Sequence, residues 1–322
     1  MKGNYTLLFV LLLVWHRAAA QQEGMYTQFM FNKMAYNPGY AGSYESEALT
    51  AIYRNQWMGL DGAPNTQILS YNQSVLRNRV GIGGNLVRHS IGISRTITLD
   101  VAYAYRIAFK RGYLGIGLQA SMRHFYQNWA DPRLITSQPI STDPSVPADP
   151  QSKLLPNFGF GAYYIGNKYN KEKWYFGIAA PRIVSNNIDF AETGEPFSRE
   201  VQHLNAMGGI NFDLNEDAQL TPQVLLKYAF GAPFDADINL SLLLNQKIYG
   251  GLTYRTGGDT NGAGESVDVL LGLQATEKLF FCLSYDIGMT RLRKFNNGSV
   301  EATIRWYFNP PQGSGVTTKP NL

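Results

Sequence analysis

Apolar and polar residues alternate along most of this chain with a period of two. From Ile97 onward, Ile97, Leu99, Val101, Tyr103, Tyr105, Ile107 and Phe109 form one face, and Thr98, Asp100, Ala102, Ala104, Arg106 and Ala108 the other. Leu279, Phe281, Leu283, Tyr285 and Ile287 alternate in the same way with Phe280, Cys282, Ser284 and Asp286. Ile238, Leu240, Leu242 and Leu244 oppose Asp237, Asn239, Ser241 and Asn245. Successive side chains of a strand point to opposite faces, so each stretch is a ribbon with an apolar and a polar side. The last such segment, Ser299 to Phe308, sets Val300, Ala302, Ile304, Trp306 and Phe308 against Ser299, Glu301, Thr303, Arg305 and Tyr307. About ten residues ending in an aromatic is the span of a tilted transmembrane strand. Such a closing strand, with Trp306 and Phe308 at the interface, must pair with the first strand so that no edge is left in lipid.

The alternation predicts strands near 48–57, 65–74, 79–88, 95–109, 112–125, 156–166, 173–183, 201–213, 218–230, 236–245, 246–256, 265–276, 278–289 and 299–308. That is an all-β, antiparallel transmembrane barrel of about fourteen strands over 48–308, with twelve and sixteen as the neighbouring even counts. A one-residue slip would carry Asp100 and Arg106 into lipid, at about 2–4 kcal/mol for a charge near the midplane. Connections alternate between tight (Lys110-Arg111-Gly112, Asn215-Glu216-Asp217, Thr276-Glu277-Lys278) and long (126–155, 184–200 and the shorter 257–264). Short periplasmic turns and long outer loops are the expected asymmetry, and it places the Pro- and Asp-rich 126–155 loop, with 184–200, on the exposed face, as a partner-contact surface or as a solvated loop without a partner.

Composition fits this reading. Tyr (20), Phe (17) and Gly (32) are abundant while charged residues are only 16%, as expected when half of each strand faces lipid and half a polar lumen. A large soluble β protein is the competing class. Lys2, the apolar run Tyr5–Trp15 and Ala18-Ala19-Ala20 predict a cleaved secretory signal over 1–20, against the competing reading of a short membrane anchor. Residues 21–47 break the alternation with an aromatic, Met-rich run and the turn Asn37-Pro38-Gly39. They are expected to form a plug inside the barrel or an arm across its periplasmic mouth. Residues 309–322 remain as a C-terminal tail.

Little of the chain points to chemistry. His89, His124 and His203 are isolated, no Gly-x-Ser-x-Gly elbow occurs, and Asp213-x-Asn215-x-Asp217 lacks the remaining calcium-loop ligands. Cys282 is expected as a small buried residue. A formal charge of +4 argues for no nucleic-acid partner. No catalytic residue, cofactor or metal is expected. Gly81-Ile82-Gly83-Gly84 and Gly115-Ile116-Gly117 fall inside strands, where small residues would let a plug meet the wall. The lumen charges Arg54, Asp100, Arg106, Arg123, Asp268, Asp286, Glu301 and Arg305 are read either as mutually paired or as functional, forming a solute path or an electrostatic socket for that plug.

One block is more particular: Tyr53-Arg54-Asn55-Gln56-Trp57-Met58-Gly59-Leu60-Asp61-Gly62-Ala63-Pro64-Asn65-Thr66. With Tyr26 to Asn32, Asn37 to Gly42, Ile91-Gly92, Tyr103 to Arg106 and Pro156 to Tyr164, it resembles the PorP/SprF family from about Tyr26 to Phe308. The departures are Gly39, where that family more usually has Ala, and the tail. The resemblance implies an outer-membrane component of type IX secretion or gliding motility in a Gram-negative cell of the Bacteroidota. It also implies a non-enzymatic role in secretion or surface anchoring. Partners would be periplasmic ring lipoproteins, the C-terminal domain of a secreted adhesin, or both, besides outer-membrane lipid. Within the block, Arg54, Gln56, Trp57, Gly59, Leu60, Asp61, Gly62, Ala63 and Pro64 are the candidate residues. Trp57 is expected at the interface, Gly59 and Gly62 in a tight turn, and Asp61 and Asn65 on turn amides. A hatch containing Asn-Pro under a fourteen-strand barrel is also similar to the long-chain fatty-acid channels. That similarity gives the alternative of a passive channel for small hydrophobic compounds.

Overall fold

The computed structural model describes residues 24–43, 47–129, 131, 134, 149–168, 172–190, 198–257 and 264–308. The expected signal over 1–20, the tail over 309–322, and parts of the 126–155, 184–200 and 257–264 loops lie outside them.

Fourteen antiparallel strands form one closed sheet: β1 (Ala48–Asn55), β2 (Asn65–Val75), β3 (Val80–Ile91), β4 (Ser94–Phe109), β5 (Gly112–Gln127), β6 (Gln151–Lys168) and β7 (Glu172–Arg182). They continue as β8 (His203–Ile210, resuming at Phe212–Asp213), β9 (Ala218–Ala229), β10 (Asp235–Leu244), β11 (Ile248–Arg255), β12 (Ser266–Thr276), β13 (Leu279–Gly288) and β14 (Ser299–Tyr307). Each strand pairs with its sequence neighbours, and β14 closes on β1 in the register Ala48↔Tyr307 to Asn55↔Val300. The segments expected near 65–74 and 79–88 are both full strands, and the count is fourteen. Closure gives every strand a neighbour on both sides, so no strand is left as a free edge in hydrocarbon.

The alternation is realised as read. Ile97 to Tyr105 point outward at odd positions while Thr98, Asp100, Ala102 and Ala104 are buried inside, and Cys282 is buried on the inner face of β13. Outward Phe109, Tyr164, Trp174, Phe212, Phe281, Trp306 and Phe308 ring one end of the wall, and Tyr53, Tyr228, Tyr254 and Tyr285 the other. Between the rings the outer face is Leu, Ile, Val, Phe and Tyr. From Ile97 to Phe109, twelve steps of about 3.3 Å, tilted by about 40°, rise about 30 Å, the thickness of a hydrocarbon core.

Connections on one rim are two to four residues long: 76–79, 110–111, 169–171, 214–217, 245–247 and 277–278. The opposite rim carries 56–64, 92–93, 128–150, 183–202, 230–234, 256–265 and 289–298. This places the short rim in the periplasm and the long rim outside. The long connection after β5 is shorter than the expected 126–155, because the β5–β6 ladder runs on to Gln127↔Gln151. Pro156 is tolerated inside β6 because regular β6–β7 pairing ends at Phe160↔Ala180, leaving this part of β6 as a local edge that needs no ladder donor there.

Residues 24–43 are inside the lumen rather than across its mouth. They form three single 3-10 turns, Phe29–Phe31, Lys33–Ala35 and Pro38–Tyr40, in which most residues are buried. Gly24 lies beside His89 in the outer half; the chain descends to Phe31 beside Tyr249 and Phe280, and rises to Tyr36 beside Asn205. It descends again to Gly42 against Gly81 and enters β1 from the periplasmic rim.

Candidate functional site

The lumen has two unlike halves, and the plug bonds to both. On the β10–β14 and β1 side the wall is charged. Arg54 pairs with Asp286 at 2.7 Å and Glu301 at 3.1 Å, all three buried. Glu301 accepts the consecutive backbone N–H groups of Thr27 and Gln28, each at 2.9 Å, one on each carboxylate oxygen. The Thr27 hydroxyl accepts from Arg54 at 2.7 Å and donates to Asp286 at 2.8 Å. Below this cluster Arg305 donates to the Phe31 carbonyl and, at 3.0 Å, to Thr50. Arg255, held by Asp237 at 2.6 Å, reaches the Tyr26 carbonyl at 3.3 Å. Buried charges stand only where paired and hydrogen-bonded, and here the plug backbone completes the set. Mutual pairing and contact with the plug therefore hold at once for Arg54, Asp286 and Glu301. Arg255 was not singled out, although it shares the inward parity of Thr253.

On the β3–β7 side the wall is small. Cross-strand register aligns Gly81, Ala104, Gly117, Gly161 and Ala179 in one inner row. A Cβ at Gly81 would lie 1.9 Å from the Ala41 carbonyl oxygen, at Gly117 2.3 Å from the Pro38 carbonyl carbon, and at Gly161 2.2 Å from Asn37 Oδ1. Backbone meets backbone along this row because no side chain intervenes. Asn37 fixes the contact: its Oδ1 accepts from Gly39 N at 2.8 Å, and its Nδ2 donates to the wall carbonyls of Ala162 and Ile178 at 3.0 and 3.3 Å.

Above the plug a cavity of about 460 Å³ occupies the outer half of the lumen under β3–β8. Tyr26 and Tyr36 form its floor, and Arg123, paired with Glu200 at 2.8 Å, and Arg182, 3.9 Å from Asp100, line its wall. His89 and His203, isolated in sequence, both line it, whereas His124 faces outward. Arg106 lies near the periplasmic mouth, over the Tyr113 ring at 4.9 Å. Asp268, 0% exposed, faces Asp286 across β12–β13. Among the described residues no group of three or more His, Cys, Asp and Glu is placed to hold a metal ion.

The block from Arg54 to Pro64 divides between lumen and rim. Arg54 is in the plug socket; Gln56 to Pro64 form the outer β1–β2 loop. Gly59 and Gly62 have φ of +87° and +71°, as a tight turn requires, but Trp57 is also left-handed at +52°, a strained backbone for an aromatic residue. Turn amides are met by other groups than expected: Gln56 N by Pro64 O, Trp57 N by Ser299 Oγ, Met58 N by Gly298 O and Ala63 N by Leu60 O. Asn65 instead donates to the Tyr53 hydroxyl. Gly62 O accepts from Gly92 N, so the loop ties the β3–β4 and β13–β14 connections together and leaves Leu60 and Asp61 exposed at its tip. Trp306 and Phe308 lie outward at the periplasmic ring.

A closed, lipid-banded, plugged sheet of this kind is an outer-membrane β-barrel. Residues 18–306 match the family described as type IX secretion system membrane protein PorP/SprF, and the chain belongs to that family. No match is found among curated proteins. Among solved structures the chain is similar to the CymD monoaromatic hydrocarbon channel, at 10% identity and TM-score 0.50, over 88% of this chain and 93% of that one. It is also similar to the toluene transporter TbuX of Ralstonia pickettii, at 9% identity and TM-score 0.49, over 91% of this chain and 96% of that one. At such identities the CymD likeness speaks to the barrel alone.

Proposed function

We propose that this chain is a non-catalytic anchoring barrel of the type IX machinery, which holds a secreted partner at the cell surface rather than conducting solutes. The observation that carries this reading is the lumen, filled by a plug bonded to both of its halves. A channel for hydrophobic compounds needs an apolar pocket and a way out through the wall. In the vestibule here the ion pairs Arg123–Glu200 and Arg182–Asp100 interrupt the apolar side chains, and each described strand pairs with both of its neighbours around the barrel. The outer rim is then the partner surface, where Leu60 and Asp61 are exposed at the tip of the β1–β2 loop. The partner is the C-terminal domain of a secreted adhesin, with periplasmic ring lipoproteins on the opposite face.

The test is affinity capture of the tagged protein from detergent-solubilised outer membrane, for wild type and a Leu60→Asp/Asp61→Lys variant. Wild type is expected to bring down the secreted protein or the ring lipoproteins, and the variant to lose the secreted protein while inserting normally. A barrel captured alone, with steady conductance in planar bilayers, would sink the anchoring reading.

A further inference from the structure

We propose that the lipid-facing wall carries a binding site for the phosphate of an outer-leaflet lipid, formed by Arg88 and Arg95 at the outer ends of β3 and β4. The register of β2–β5 stacks outward residues in rows. Leu69, Leu86, Leu99 and Met122 make one aliphatic row, each about half exposed toward lipid. The next row up is Gln67, Arg88, Ile97 and His124, and the one above it Asn65, Ser90, Arg95 and Tyr126. Two residues advance about 6.6 Å along a strand, or about 5 Å along the membrane normal after tilt. The two guanidinium-bearing rows thus begin where acyl chains give way to headgroups.

Among the described residues, neither the Arg88 nor the Arg95 guanidinium has a hydrogen-bond or ion-pair partner. At the other outer strand ends the outward positions are neutral (Tyr53, Leu154, Leu204, Tyr228, Tyr254 and Tyr285), and the remaining exposed basic residues described on this rim, Arg199, Arg291, Arg293 and Lys294, lie in its connections. The pair is therefore a local feature and not a general basic collar. Both arginines border a recess of about 270 Å³ that also touches Ser90, Tyr126 and Asn128, with Asp131 as its carboxylate. An unpaired guanidinium beside lipid is costly, and its planar fork matches a phosphate in two hydrogen bonds at once. The aliphatic row directly below supplies the surface for the acyl chains of the same molecule. That continuity selects a phosphorylated lipid over free phosphate.

The experiment uses the folded, full-length barrel in zwitterionic detergent, titrated with phosphorylated lipid A, with its dephosphorylated form and with inorganic phosphate, and read by native mass spectrometry. Removing the lipid phosphate is expected to weaken binding about tenfold or more, the effect of losing charge-assisted hydrogen bonds. Arg88→Gln/Arg95→Gln should weaken binding of the phosphorylated lipid by a similar factor and leave the dephosphorylated lipid unaffected. Millimolar inorganic phosphate should not compete. Wild-type binding by the double variant would overturn the site, and equal competition by inorganic phosphate would overturn the lipid as its source. If the double variant does not fold, Arg95→Gln alone, at the more exposed position, is read against the same criteria.

Discussion

Two buried charges of the plugged lumen, Glu301 and Lys33, are treated in opposite ways. Glu301 is 0% exposed, but Arg54 and two plug amides share its carboxylate, so its burial is offset by an ion pair and hydrogen bonds. Lys33, in the plug and 1% exposed, has no hydrogen-bond partner for Nζ, which faces the rings of Tyr175 at 3.8 Å and Tyr40 at 5.9 Å. Burial first, and Arg305 second, hold its amine well below the ordinary lysine value of 10.5. A lysine that holds its proton less tightly when folded than when unfolded binds fewer protons in the folded state. Stability then rises with pH from the lowered value up to 10.5. Lys33→Met keeps an unbranched stem one atom shorter and removes the buried polar atom, so it should stabilise the barrel by about 1–3 kcal/mol at neutral pH. The gain should shrink as the pH approaches 10.5. Urea unfolding in lipid vesicles at neutral and alkaline pH measures this; a variant less stable than wild type at neutral pH would mean that the Tyr175 face outweighs desolvation.

At the scale of elements, the plug and the wall fit because one is a backbone and the other a row of glycines. Gly117→Ala puts a methyl within 2.4 Å of both Pro38 O and Gly39 N, main-chain atoms that cannot rotate away. The turn at Pro38–Tyr40 must lift, and Asn37 then loses reach to Ala162 and Ile178. The expected cost is about 1–3 kcal/mol from overpacking, together with faster amide exchange at 37–42. Exchange at 37–42 unchanged from wild type would place the plug elsewhere. How legible this was in the sequence depended on periodicity. The strands could be read because one face meets lipid and the other does not, and the charges of β4 and β14 fixed the register. The glycines of β3 and β5 could be seen as small sites for a plug, but their union with Gly161 into one row exists only once register is known. The plug's place inside the lumen was equally hidden: three 3-10 turns have no period, and an arm with the same residues would read the same. The left-handed Trp57 had no signal at all, since residue type argues against it.

For the whole molecule, fourteen strands enclose more space than their inward side chains can fill; eight already bring those side chains together, whereas sixteen to eighteen leave a water channel. The periplasmic half of the lumen holds Phe31, Met34 and Tyr40, all plug residues and each no more than 2% exposed. Remove the plug and Arg54, Arg305, Asp286 and Glu301 face water instead of amides and carbonyls. Deletion of 24–43 is therefore predicted to leave membrane insertion intact, because the strand ladder and the β1–β14 seam contain none of these residues. It should raise ionic conductance in planar bilayers above that of wild type, and lower the denaturant midpoint by removing most of the inner apolar contacts. Arg54 and Glu301 would still pair across the seam, so the opened lumen should stay ion-lined and its conductance should depend on salt. A deletion variant that conducts no more than wild type would show that the wall side chains close the pore unaided, and the plug would then be bound by the lumen without being needed to seal it.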